Sequence, residues 1–266
     1  MKVGLALSGG AARGLAHVGV IKTLLEHDIP IDFVAGVSAG AVVGGAFASG
    51  LSIAEITEMS GNLRWRLLGR FAFSRFGILS TEPLQNYIRK HLPVKRFEDT
   101  VLPFACVATD LNSGEGIVMK ERGDLASAIA ASCALPGLYV PVRSDDGRQL
   151  VDGALAEFIP TQTVRNLGAD IVIAVDVNFE GAKFLGTPQT VLGVFFQAAM
   201  LLLRTVARHQ VIHADVVVRP LVGHLRWDEV GKHKEFIKAG EAAALLVMND
   251  IKRLLEDGKI RDEGGK

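Results

Sequence analysis

A single three-layer α/β/α domain around a mostly parallel sheet is what this sequence predicts, and three observations predict it. Short apolar segments of strand character alternate with helical segments along the chain, with short connections between them. No Pro- or Ser-rich linker divides the 266 residues. Apolar residues make up 49% and charged ones 22%, which is enough apolar material for one sizeable core. Lys plus Arg matches Asp plus Glu at 29 each, so the overall charge gives no reason to expect nucleic acid as a partner.

In chain order, Val3–Leu7 reads as the first strand, broken by Ser8-Gly9-Gly10. This opening turns directly into a glycine loop and lacks the length and cleavage pattern of a signal peptide. Residues 13–27 show helical spacing through Val18, Ile21 and Leu25, and Pro30 then resets the chain for a second strand at 31–35. A helix of small residues follows at 39–49. Ser52 and Glu55 form a capping box for the next helix, which reaches Gly61. Thr81-Glu82-Pro83 signals the start of a helix over 84–91.

Residues 102–110 read as a buried strand, turned by Gly114 and Gly116 into a second one at Gly116–Lys120. A helix at 124–134 stops at Leu135-Pro136-Gly137. Gln149–Asp152 is a strand ending at Asp152-Gly153, and the β-branched run 169–176 is another. Long helices are expected at 190–210 and 232–257, with a strand at 214–219 between them and a polar tail to 266. The greasy run 191–203 is too short to span a bilayer and is interrupted by Gln197, so it is expected to be a buried helix. Cys106 and Cys133, each inside an apolar segment and without zinc spacing, are expected to be reduced core thiols. Together these features suggest a cytoplasmic protein with no metal and no organic cofactor.

Two segments carry chemistry. Gly36-Val37-Ser38-Ala39-Gly40 has the G-x-S-x-G spacing of a nucleophile elbow, a sharp strand-to-helix turn that exposes the serine oxygen. Ser8 to Gly14 (SGGAARG) is a glycine loop between a strand and a helix, where backbone N–H groups and the helix dipole suit a phosphate or a developing oxyanion. It has neither a Walker ending nor the G-x-G-x-x-G spacing. In a parallel sheet, the first two strands deliver both segments to the same carboxyl edge.

A serine needs a base. Of the seven histidines, His17 falls on an apolar helix face with Val20, Ile21 and Leu24, and is expected to be packed. His209, His213, His224 and His233 stand in the right chain order for a triad, but none is preceded by a motif. Asp152 is a sharper candidate, a carboxylate fixed at a strand end beside Gly153, with Asp110 and Asp176 as lesser rivals. Asp152 could equally cap the next segment or make an Asx turn.

Taken together, Gly9-Gly10-Ala11-Ala12-Arg13-Gly14, Gly36-Val37-Ser38-Ala39-Gly40 and Asp152-Gly153-Ala154 resemble the patatin-like phospholipases, including the bacterial branch near neuropathy target esterase. ATDLNSGE (108–115), SCALPGLYVPV (132–142) and the segment 214–220 add lesser similarity. The resemblance implies a patatin-type three-layer fold and a Ser–Asp dyad, with Ser38 as nucleophile and Asp152 as base. It implies an oxyanion hole at Gly9, Gly10 and Ala11, with Arg13 holding the loop and Gly14, Gly36, Gly40 and Gly153 supporting the site. The family usually has a third glycine where this chain has Ala11, and an alanine there is costly if φ is positive.

Residues 61–80 carry four arginines and no acid, interleaved with Trp65, Phe71, Phe73 and Phe76. The segment reads as an interfacial contact with lipid, as a cap whose aromatics fill the core, or as a lid over Ser38. The reading that follows is a serine acyl-ester hydrolase acting on a phospholipid or another acyl ester. The rivals are an acyltransferase with the same nucleophile and a regulatory module that binds a phosphorylated ligand without turnover.

Overall fold

The computed structural model describes residues 1–72, 74–180 and 189–264. The chain begins with β1 (Val3–Leu7), a 3-10 turn over Ala11–Leu15 and α1 (Ala16–Glu26), then β2 (Phe33–Gly36) and α2 (Ala39–Ala48). Next come α3 (Ile53–Asn62), α4 (Trp65–Leu68), β3 (Arg70–Phe71), β4 (Gly77–Ser80) and α5 (Glu82–His91). The middle holds β5 (Phe104–Asp110), β6 (Gly116–Lys120), α6 (Leu125–Ser132), β7 (Gly137–Tyr139), β8 (Val142–Arg143) and β9 (Gln149–Asp152). The last part holds α7 (Thr161–Asn166), β10 (Ile171–Val175), α8 (Val191–Gln210), β11 (Val216–Val218) and α9 (His233–Gly264).

The main sheet has the order β11-β10-β1-β2-β5-β9-β8, with β6 also paired to β5. The five strands from β11 to β5 are parallel, and β6, β9 and β8 are added antiparallel. The expected mostly parallel sheet is therefore present. Alternation along β1 builds the layers. Val3, Leu5 and Leu7 enter a core shared with α1, α2 and α9, while Ala6 enters a second core with Val164 of α7 and Leu203 and Ala207 of α8. Bulky side chains thus fill one face, and small ones let helices lie close on the other.

Several boundaries differ from the sequence reading, for local reasons. The first helix starts at Ala16, because residues 11–15 form the 3-10 turn of the glycine loop. The capping box is present: Ser52 accepts from the Glu55 N–H, and the Glu55 carboxylate accepts from the Ser52 N–H. The final helix continues to Gly264, so most of the expected polar tail is helical; one glycine at 258 is a weak breaker. Residues 265 and 266 lie outside the described residues. The expectation of a buried helix at 191–203 is corrected: Leu203 is buried, but Val194, Leu201 and Leu202 are exposed, so α8 is amphipathic.

Candidate active site

The carboxyl edge of β2 leads straight into the elbow. Ser38 has φ 53° and ψ −120°, a conformation that side chains rarely adopt, and it caps α2. Neighbouring glycines enforce it. A Cβ on Gly36 would stand 2.4 Å from the Gly40 carbonyl oxygen, and one on Gly40 would stand 2.3 Å from the Leu7 carbonyl oxygen. Only bare backbone lets α2 fold back this tightly over the ends of β1 and β2. The buried Ser132 side chain accepts the Ser38 N–H at 2.9 Å, fixing the turn from the α6 side.

The glycine loop lies against this turn. The Cβ position of Gly9 is 3.5 Å from Ser38 Cβ, and that of Gly14 is 2.4 Å from Ala39 Cβ, so loop and elbow touch. The Gly9 N–H donates to the Phe158 carbonyl at 3.1 Å, which anchors the loop and engages one of the three expected oxyanion donors. Gly10 and Ala11 make no such backbone donation among the described residues. Ala11 does sit at positive φ, 49°, so the departure from glycine carries the strain anticipated, on the order of 1 kcal/mol. Arg13 is fully buried and donates to Asn178 Oδ1 and the Leu225 carbonyl, both at 3.3 Å. Asn178 in turn donates to the Gly9 carbonyl at 2.8 Å, so Arg13 and Asn178 brace the loop from behind. Burial lowers the Arg13 guanidinium to about 10, against the opposing pull of Glu180.

Asp152 reaches the site from the other flank of β5. Gly36 pairs with Cys106 and Asp152 with Ala108, so both Ser38 and Asp152 lie two residues beyond the Gly36–Cys106 level. Asp152 is buried, its Oδ1 accepts the Ala154 N–H at 2.9 Å, and Thr109 Oγ1 donates to its carbonyl at 3.0 Å. Gly153 is needed for the turn that follows, since a Cβ there would lie 2.0 Å from the Val107 carbonyl oxygen. Burial pushes the Asp152 carboxyl up to about 6, while hydrogen bonds from the Ala154 N–H and the Ser38 side chain hold it back. The Asx turn weighed as an alternative is thus present together with the approach to Ser38.

The rival bases are elsewhere. Asp110 accepts from the Asn112 N–H and the Ser113 hydroxyl in a surface turn, and Asp176 accepts from the Asn178 N–H. His17 is buried, and its Nε2–H donates to the Ser8 carbonyl at 2.9 Å. Burial lowers its pKa to about 4, so the ring is neutral and holds the loop as a packed residue. No histidine is among the described residues lining the cavity at Ser38. Cys133 does line it, which the sequence reading missed by placing the residue in the core. Burial and the Asp152 charge push its thiol well up, away from a reactive thiolate.

This cavity of about 180 Å³ holds the glycine loop, Ser38 and Asp152 at one end and is otherwise walled mainly by apolar side chains. Leu63, Leu68, Leu138, Met200, Leu203 and Trp227 are among them. Part of the wall is a cap that the sequence did not show as strands: β3, β4 and β7 form a three-stranded sheet, and the Tyr139 hydroxyl donates to the Leu68 carbonyl. Phe71 and Phe76 are 81% and 60% exposed, so these two aromatics do not fill the core. Phe73 and the side chains of Trp65 and Arg66 lie outside the described residues. Among the described residues, no His, Cys, Asp or Glu cluster could hold a metal ion, and no helix is long and apolar enough to cross a membrane.

A family model described as Patatin-like phospholipase matches residues 5–165, which include the glycine loop, the elbow and Asp152. An uncharacterized NTE family protein of Mycobacterium tuberculosis is 39% identical over 180 residues, covering 66% of this chain and 49% of that protein. A lysophospholipase nte1 of Emericella nidulans is 35% identical over 197 residues, covering 70% of this chain and 12% of that protein. The chain thus spans about half the length of the mycobacterial relative and a small part of the fungal one. The crystal structure of VipD from Legionella pneumophila shares the fold, with TM-score 0.54 and 14% identity over 94% of this chain and 67% of that one.

Proposed function

The chain belongs to the patatin-like phospholipase family, and from that premise we propose that it is a lipid acyl-ester hydrolase working through a Ser38–Asp152 dyad. One observation carries the reading: a strained elbow serine and a buried carboxyl, raised by that burial to about 6, line the same end of one cavity beside the glycine loop. A carboxylate with such a pKa is ionised at neutral pH and basic enough to take a proton in the transition state. Asp152 would accept the Ser38 proton as the serine oxygen attacks the ester carbonyl. The resulting oxyanion would meet the N–H groups of Gly10 and Ala11, on a loop that Gly9, Arg13 and Asn178 hold rigid. Collapse of the tetrahedral intermediate would release the alcohol with the proton from Asp152. Water, deprotonated by the same carboxylate, would then hydrolyse the acyl-enzyme.

The apolar cavity suits an acyl chain, and the name lysophospholipase carried by the fungal relative is in keeping with such a substrate. Exposed Phe71 and Phe76 on the cap, with Arg75 between them in sequence, would let the molecule rest on a lipid surface. The test is labelling by a fluorophosphonate together with hydrolysis of a lysophospholipid. Wild type should label and turn over, and Ser38→Ala should do neither. Labelling without release of fatty acid to water, but with transfer to added glycerol, would favour the acyltransferase. Labelling that persists in Ser38→Ala would overturn the assignment.

A further inference from the structure

The glycine loop is also held from a part of the chain that none of the sequence motifs reaches. After β11, residues 219–229 run in turns and bends, yet Val222, Leu225 and Val230 are buried in the core shared with β1 and α9. Two hydrogen bonds tie this strap to the loop. The Trp227 carbonyl accepts the Ala12 N–H at 2.9 Å, and the Leu225 carbonyl accepts from Arg13 Nη2 at 3.3 Å. Glu180 secures the strap in turn, accepting the Gly223 N–H at 2.5 Å, and the same carboxylate attracts Arg13. Trp227 also lines the cavity that holds Ser38 and Asp152, as does Val230. Ala11, immediately before the bonded Ala12, is at φ 49°, and a strained residue persists only where its surroundings over-determine it. Phe158 makes a comparable pair of contacts, accepting the Gly9 N–H and lining the cavity, but it is buried in the second core. Trp227 is half-buried on a segment without regular structure, so of the two it is the one able to respond to what fills the cavity.

We infer that Trp227 is a positioning residue that couples filling of the apolar cavity to the glycine loop, so that a longer acyl chain raises kcat as well as lowering KM. The inference rests on the hydrolase reading and adds to it how the site distinguishes acyl chains. A chain lying against the indole removes apolar surface from water on both partners and holds the strap in place. With the strap in place, the Trp227 carbonyl keeps Ala12 bonded, and the N–H groups of Gly10 and Ala11 stay aimed at the position of the oxyanion. A chain too short to reach Trp227 leaves that wall uncovered, and the strained Ala11 is then free to relax away from the reacting carbonyl. Binding energy from a part of the substrate remote from the ester is thereby expressed in the transition state, which is the condition for an effect on kcat. The bond to Ala12 is made by backbone, so the side chain at 227 senses the acyl chain and the carbonyl transmits the response.

The experiment measures kcat and KM on nitrophenyl butyrate and nitrophenyl decanoate for wild type, Trp227→Ala, Trp227→Leu and Trp227→Phe. In wild type the ratio of kcat on decanoate to kcat on butyrate should be on the order of ten. Trp227→Ala keeps the carbonyl and removes the ring, and should bring that ratio to about one. Trp227→Leu should lower the same ratio and serves in its place if Trp227→Ala does not fold. Trp227→Phe, which keeps an aromatic wall, should restore most of the wild-type ratio. Equal fractional loss of kcat on both esters would make the role merely structural and overturn the inference. A change confined to KM, with the kcat ratio kept, would make Trp227 only a wall and overturn it as well. Amide hydrogen exchange reads the coupling without turnover. In Ser38→Ala protein, decanoate should slow exchange at Ala11 and Ala12, and in Ser38→Ala/Trp227→Ala it should not. That result supports the inference even if wild type proves inactive on every ester, which would sink the hydrolase reading alone. Exchange that decanoate leaves unchanged, or slows equally without the indole, overturns it.

Discussion

The elbow and the cap, both facing the cavity, are built on opposite principles. Around Ser38 every neighbour is fixed: Gly36 and Gly40 sit against carbonyl oxygens, Ser132 holds the N–H, and the strained φ is over-determined by packing. The cap is three strands of two to four residues, with Phe71 and Phe76 turned to solvent and Arg70 paired to Glu82 at 2.7 Å on the surface. Exposed pairs of that kind contribute little to stability. Reacting groups need geometry held to fractions of an ångström, while a wall that admits acyl chains tolerates looser construction. Of these two regions, the elbow, where chemistry is proposed, carries backbone strain, and the cap, where substrate would arrive, carries exposed aromatic surface.

The largest effect expected is at Asp152, where fixity should oppose stability. Burial raises this carboxyl from 3.8 to about 6. The protonated form is favoured in the fold, so its contribution to stability is complete below pH 4 and is lost as pH rises through 6. At roughly 1.4 kcal/mol per unit, the loss at neutral pH is on the order of 3 kcal/mol. Asp152→Asn retains an acceptor for the Ala154 N–H and avoids that cost. The variant should unfold at higher denaturant concentration than wild type at pH 8, with the difference vanishing near pH 4. Its ester hydrolysis should fall by about 10²- to 10⁴-fold, the usual contribution of a general base. In wild type, kcat/KM should rise with pH through an apparent pKa near that of the buried carboxyl. A variant that is inactive but no more stable at pH 8 would mean the carboxyl is not desolvated as described.

Next in size is Gly40→Ala. Its new methyl would stand 2.3 Å from the Leu7 carbonyl oxygen and 2.6 Å from that of Ser8, and both are backbone atoms that cannot swing aside. A loss of about 3 kcal/mol or more in urea unfolding is expected, with fluorophosphonate labelling lost alongside. A variant of wild-type stability would show that the elbow is less rigid than the comparison with the cap requires.

The same contrast decides what could be read in the sequence. The central strands were legible because β1, β2, β5 and β10 are buried apolar runs bounded by glycine, proline or aspartate. Gly36, Gly40 and Gly153 were legible because close backbone approach leaves no other choice of residue. Short segments were not. β3 and β8 have two residues each, too few to show a period, and β7 hides in a Pro-Gly turn. The apolar run of α8 suggested burial, but its Leu201 and Leu202 point outward, a distinction of helix face that overall hydrophobicity obscures. Cys133 reads as core from sequence, because no local pattern says that α6 ends at the cavity. The engagement of the Gly9 N–H by Phe158 joins residues 149 positions apart, and no local signal encodes it.

The smallest effect on stability, and the most direct trial of the cap's looser design, is the double substitution Phe71→Ser/Phe76→Ser. Both side chains are exposed, at 81% and 60%, so little contact is lost and unfolding should shift by no more than about 0.5 kcal/mol. On lipid vesicles the outcome should differ. Two phenyl rings removed from water at an interface contribute enough that their loss weakens vesicle binding on the order of tenfold. Co-sedimentation with phosphatidylcholine–phosphatidylglycerol vesicles measures this, and hydrolysis of a short water-soluble ester serves as the reference reaction. Unchanged sedimentation would remove Phe71 and Phe76 from lipid contact. A large loss of stability would show that the cap is held as firmly as the elbow.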